Sequence, residues 1–270
     1  MAYLQDLIRT AKNTSNHSIK PINLEVPRVI KNYLIGKSIH CNIRLPEDCK
    51  YTSDYTSLIS ESYSFETKKM EHYLLDLSSY GRGVIDRNSS DIKELHPVED
   101  ISNRIFMLKN KDCITFGSEK NEKEKYRIRY EDGKFLSSDA EKNVLNEEII
   151  ANVIGTLSDY VNIGVPNGTK NVDGLHAAII SYQNKEGKRK WGVVGLGKKG
   201  KDYTNIKRNG LVVNIDSCAD LKVEDEMNEG DHSYMFKLEH GDEILLNGIE
   251  DKDFKDAYIF KFLENLEGAK

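Results

Sequence analysis

The sequence predicts an all-β protein: two consecutive β-sandwich domains preceded by a short N-terminal helix. Apolar residues fall in short runs of up to about seven, separated by polar or glycine-bearing turns, which is strand spacing. Within them Tyr126-Arg127-Ile128-Arg129-Tyr130 alternates strictly, placing one face in a core and the other in water. The run pattern also stops in a charged stretch near residue 140 and then restarts, dividing 270 residues into two domains of ordinary size.

Taken in order, residues 1–24 form an N-terminal helix or arm, because Tyr3, Leu4, Leu7 and Ile8 fit one face of an amphipathic helix over residues 3–12. The polar stretch Thr14–Pro21 breaks it, and Pro27 bars a helix from continuing. Domain 1, residues 25–134, carries the strand candidates Tyr33-Leu34-Ile35, Ser57-Leu58-Ile59, Tyr73–Leu77 and Cys113–Phe116. Residues 135–146 are charged and Ser-bearing and read as a linker. Domain 2, residues 147–270, resumes with Ala177–Ile180, Trp191–Val194, Leu211-Val212-Val213, Glu243–Leu246 and Tyr258-Ile259-Phe260. Similar strand number and spacing in the two halves point to an internal duplication.

Composition narrows the function. Hydrophobic residues make up 38% of the chain and charged residues 31%, which supports a real core and excludes wholesale disorder. A net charge of -5 provides no global basic field for a nucleic-acid backbone. No apolar run approaches the roughly 18 residues of a membrane span. The first residues carry an early acid, Asp6, and no long apolar region, so neither a secretory signal nor a membrane partner is expected. Cysteines 41, 49, 113 and 218 form no Cys-x-x-Cys pair, so reduced thiols and an intracellular setting (cytoplasm or nucleus) are expected. The seven histidines are scattered and show no metal-ligand spacing. Nor does a nucleophile elbow or His-Glu-x-x-His helix appear, so the expectation is a non-enzymatic protein with no cofactor and no metal. Gly195–Lys201 contains Gly-x4-Gly-Lys, but Asp202, not Ser/Thr, follows Lys201 and no amphipathic helix comes after, so a basic turn is the better reading.

The order of motifs resembles the forkhead-associated (FHA) family of β-sandwich modules. In the first half, Tyr33-Leu34-Ile35-Gly36-Lys37 with Cys41-Asn42-Ile43-Arg44-Leu45 is similar to the opening Gly-Arg turn and next strand. Thr52–Ile59 sits where that family has Ser-Arg-x-His-Ala-x-Ile, and Leu75–Val84 is similar to its Asn-Gly turn. Leu108–Gly117 resembles the closing Gly-Asp-x-Ile strand. In the second half, Val153-Ile154-Gly155-Thr156, Leu175-His176-Ala177-Ala178-Ile179, Trp191–Gly200 and Leu238-Glu239-His240-Gly241-Asp242-Glu243-Ile244 repeat the order.

The resemblance implies phosphothreonine reading, which needs a charged donor and convergent hydroxyl and amide donors around a dianion. The implied ligands in domain 1 are Lys37, Ser53, Ser79 and Arg82. Lys37 stands for the family's arginine and loses its bidentate fork, Tyr80 replaces the turn's asparagine, and Thr56 replaces the structural histidine. In domain 2, Thr156 replaces the arginine, and Asp173 stands at the serine position, where its charge repels phosphate. Gly36, His176, Gly241 and Asp242 are the framework positions. The resulting expectation is a scaffold or adaptor that binds protein partners, phosphothreonine-dependent in domain 1 only. Lys198, Lys199 and Lys201 form a candidate partner-binding turn. The rival reading is a nucleic-acid-associated accessory protein that uses this turn together with Lys207 and Arg208.

Overall fold

A computed structural model describes residues 1–8, 20–25, 29–49, 52–77, 83–87, 91–94, 105–117, 125–137, 142–170, 172–184, 186–196, 202–215, 235–248 and 254–264, with backbone only at 83–87, 91–94, 202 and 248. The chain is nearly all β and folds into two compact units. One takes Val29–Ala151; the other combines Met1–Arg28 with Asn152–Glu229 and Tyr234–Lys270. Among the described residues, no helix is long and apolar enough to cross a membrane.

The chain opens not on the expected helix but on strand β1, Ala2–Asp6, followed by the short β2, Ile22–Asn23. Ala2, Leu4 and Asp6 are buried while Tyr3 and Gln5 are half-buried, a period of two and not of 3.6. Of the expected helix over residues 3–12, residues 3–6 are strand, only Leu7 and Ile8 are helical, and residues 9–12 lie outside the described residues.

In the first unit, β3 (Lys31–Gly36), β4 (Ile43–Arg44), β5 (Ser57–Ser64), β6 (Lys69–Asp76) and β9 (Ile105–Met107) share a sheet. Its order is β3-β5-β6-β9, with β4 parallel to β3. The facing sheet uses β7 (Gly83–Arg87), β8 (Asp91–Glu94), β10 (Cys113–Gly117), β11 (Lys125–Glu131) and β12 (Lys134–Ser137), in the order β12-β11-β10-β7-β8. Ile35, Ile59 and Leu74 from one sheet meet Ile114, Phe116 and Ile128 from the other in one buried cluster, which makes this unit a sandwich. Of the expected linker at 135–146, the described residues 135–137 and 142–146 belong to it. Phe135 is fully buried, Val144 N donates to Phe135 O at 2.8 Å, and Asn146 N to Asn42 O at 2.7 Å.

The second unit repeats the plan. Strands β13 (Ala151–Gly155), β14 (Ile163–Gly164), β15 (Ala177–Gln183), β16 (Arg189–Gly195) and β19 (Phe236–Lys237) run β19-β16-β15-β13, with β14 parallel to β13. β17 (Asp202–Arg208), β18 (Leu211–Asn214), β20 (Glu243–Gly248) and β21 (Tyr258–Glu264) are joined by β1 and β2 in the order β18-β17-β20-β21-β1-β2. Aligning the sheets places β1 where the first unit has β12. The position filled in one unit by the strand after the closing hairpin is filled in the other by the chain's first strand. Five residue pairs, from Ala2↔Glu264 to Asp6↔Phe260, zip β1 to β21, and Tyr258 Oη donates to Asp6 Oδ2 at 2.6 Å. The described residues 1–8 and 20–24 are thus part of this unit and not a separate arm.

The duplication extends to single hydrogen bonds. Leu34 N donates to Asn42 Oδ1 in one unit and Val153 N to Asn162 Oδ1 in the other. Leu45 N donates to Gly36 O at 2.7 Å, and Val165 N to Gly155 O at 2.8 Å. The closing hairpins match as well: Tyr130 N to Asp112 O, and Phe262 N to Asp242 O, both at 2.8 Å.

Candidate functional site

The loops that follow β3 and precede β5 meet because Gly36 has no side chain: a Cβ there would fall on the carbonyl oxygen of Asp54. Gly155 is held in the same way against the carbonyl of Gly174. The close approach is secured by Lys37 N donating to Ser53 O and Ser38 N to Asp54 O, each at 3.2 Å, with Thr56 N to Ile35 O at 2.7 Å. Lys37 and Ser53, far apart in sequence, are therefore joined at one end of the first unit. Ser53 is exposed and its hydroxyl donates to Tyr55 O at 2.7 Å, a local bond that an incoming acceptor can replace. Lys37 is half-buried, and its charge acts on the Cys49 thiol, lowering a pKa that burial raises. Arg44, on β4, donates from Nε to the Lys37 carbonyl at 3.3 Å and from one terminal nitrogen to Glu47 at 3.3 Å. Ser79 and Arg82, the other two expected ligands, lie outside the described residues, as do Lys198, Lys199 and Lys201.

In the second unit the same backbone bonds recur: Thr156 N to Asp173 O at 3.1 Å and His176 N to Ile154 O at 2.9 Å. His176 is fully buried, and Asp173 N donates to its Nδ1 at 3.1 Å. Nδ1 is thus the acceptor, so Nε2 carries the proton and donates to Tyr203 O at 3.1 Å. Burial holds its imidazolium form below the usual histidine range, and the ring ties the loop to β17. Thr56 does the loop half of this work in the first unit, where its Oγ1 accepts from Ser53 N at 3.0 Å.

The closing turns are built alike. Gly241 has φ 95° and Lys111 φ 73° in matching positions, and a glycine adopts that region with less strain. Asp242 is buried and accepts Arg208 Nε at 2.8 Å, its terminal nitrogen at 2.7 Å, and Glu239 N at 2.8 Å. Arg208 also lies 4.9 Å from the Phe236 ring centroid, and Lys207 pairs with Glu243 at 3.0 Å. The two described cations of the rival nucleic-acid surface are therefore engaged within the protein. Asp112 repeats the turn, accepting Lys109 N at 2.8 Å.

The structural roles of three residues escaped sequence reasoning. Arg44 occupies a variable position of its motif. Arg208 finds Asp242 only across two strands. Asn42, almost fully buried, donates to Asn146 O at 3.0 Å and Ile149 O at 2.8 Å, contacts more than 100 residues away in sequence. Among the described residues no cluster of three metal-ligating side chains occurs. No protein-family model, curated protein or solved structure matches the chain.

Proposed function

We propose that this chain is a non-enzymatic intracellular adaptor whose two FHA-like sandwiches present their loop ends to protein partners. Phosphothreonine-dependent contact is confined to the first unit, through Lys37 and Ser53 with Ser79 and Arg82. The observation that carries this reading is the bond from Lys37 N to Ser53 O, which brings a cation and an exposed hydroxyl to one end of the sandwich. A dianionic phosphate monoester asks for that pair. The second unit keeps the same loop scaffold but has Thr156 and Asp173 at these positions, so it supports contacts of another kind, including any made by Lys198, Lys199 and Lys201.

The test is a degenerate phosphothreonine peptide library, offered to the full chain by fluorescence polarisation beside the same library dephosphorylated. The phosphorylated pool binds more tightly, and Lys37→Ala removes the difference. Equal affinity for both pools, in wild type, overturns the phosphate reading.

A further inference from the structure

The first unit's loop end carries a second cation that the family pattern does not assign. We propose that Arg44 contacts the phosphate, supplying the planar two-donor fork that Lys37 lacks, and that Glu47 holds it until a phosphorylated threonine side chain displaces that carboxylate. The assignment rests on the phosphothreonine reading above and names the residue that gives it geometric selectivity.

Three observations carry it. Strand β4 runs parallel to β3 with Arg44 in register with Gly36, one residue from Lys37, and Arg44 Nε is fixed on the Lys37 carbonyl at 3.3 Å. The guanidinium therefore lies at the base of the loop, with Nε on the Lys37 carbonyl and one terminal nitrogen on Glu47. Its partner there is a weak one: the Arg44–Glu47 contact is 3.3 Å long, with side chains 53% and 73% exposed. Exposed pairs of this kind contribute little, whereas a planar fork on a dianion makes two short charge-assisted bonds. Finally, three positions differ together between otherwise matching frameworks. In the second unit, Gly164 pairs with Gly155 as Arg44 pairs with Gly36, and the same unit has Thr156 for Lys37 and Asp173 for Ser53. Both cations and the hydroxyl are present in one unit and absent from the other, while the hydrogen bonds that shape the loops are kept. A structural role for Arg44 in the loop scaffold would leave that joint change without a reason, since Gly164 maintains the same strand pairing.

The same two peptide pools test this on the full chain with Arg44→Ala, Arg44→Lys and Glu47→Gln. Arg44 is on the surface, so folding survives its truncation, checked by an unchanged thermal midpoint. Arg44→Ala weakens phosphopeptide binding about tenfold and Arg44→Lys recovers only part of that loss, because a point charge cannot form the fork. Glu47→Gln tightens binding about two- to threefold by releasing the guanidinium. If wild type selects the phosphorylated pool and Lys37→Ala abolishes selection while Arg44→Ala leaves it unchanged, the Arg44 assignment is overturned and the phosphothreonine reading stands. If wild type does not distinguish the pools, both fall.

Discussion

Truncating Leu4 tests whether the first strand belongs to the second unit. Leu4 is fully buried, sits opposite Phe262 of β21 on one side and Ile22 of β2 on the other, and lies in a strand paired at five positions. Leu4→Ala removes buried methyl groups that the zipped strand cannot easily refill, which costs about 3 kcal/mol. With a urea dependence of about 2 kcal/mol per molar, the midpoint falls by about 1.5 M. The chain's one tryptophan, Trp191, is almost fully buried in β16 of the same unit, so its fluorescence reports the relevant transition. Gln5→Ala, on the other face of β1, is the control and shifts the transition by no more than about 0.5 kcal/mol. A Leu4→Ala midpoint equal to that of wild type would refute the placement of β1, because a free N-terminal arm cannot influence Trp191.

Two further outcomes follow from buried polar groups. Burial takes the His40 imidazolium down to about 4 and also lowers His72 and His176, so the unfolded chain binds more protons than the folded one in mild acid. Their contribution is fully present above the unfolded value of about 6.5 and is lost as pH falls toward 4, about 3 kcal/mol for His40 alone. Urea unfolding at pH 7.5, 5.5 and 4.5 should therefore show a shallower pH slope in His40→Gln than in wild type, and equal slopes would contradict this. Asn42→Ala leaves Leu34 N and the carbonyls of Asn146 and Ile149 without their side-chain partner, at a cost of about 2–4 kcal/mol. Faster amide exchange across residues 142–150, measured by mass spectrometry, is the expected sign, and unchanged exchange there would count against the staple.

The all-β class and the doubling were legible because alternation and turn residues are local signals. Tyr126–Tyr130, read as a half-buried strand, lies in β11, and Thr56 takes the loop hydrogen bond that His176 makes in the other unit. The N-terminus was misread for a physical reason. Tyr3, Leu4, Leu7 and Ile8 fit a helical period and do not alternate, and the strand is imposed by β21, more than 250 residues away. The described parts of the expected linker are likewise drawn into the first unit, by the buried Phe135 and by the backbone bonds of Val144 and Asn146, none of which is a local signal. At the candidate site, Lys37 and Ser53 were readable from motif order, and Gly36 brings them together. Arg44 was not, because its importance comes from strand pairing and from comparison with Gly164 rather than from any pattern along the chain.

The most direct test of a phosphate-reading first unit beside a second that lacks the ligands is hydrogen–deuterium exchange of the full chain. It compares saturating phosphothreonine peptide with its unphosphorylated twin. The account expects new protection across residues 37–57 with the phosphorylated peptide alone, and none across residues 156–177. Protection across 156–177, or the same protection from both peptides, would contradict it.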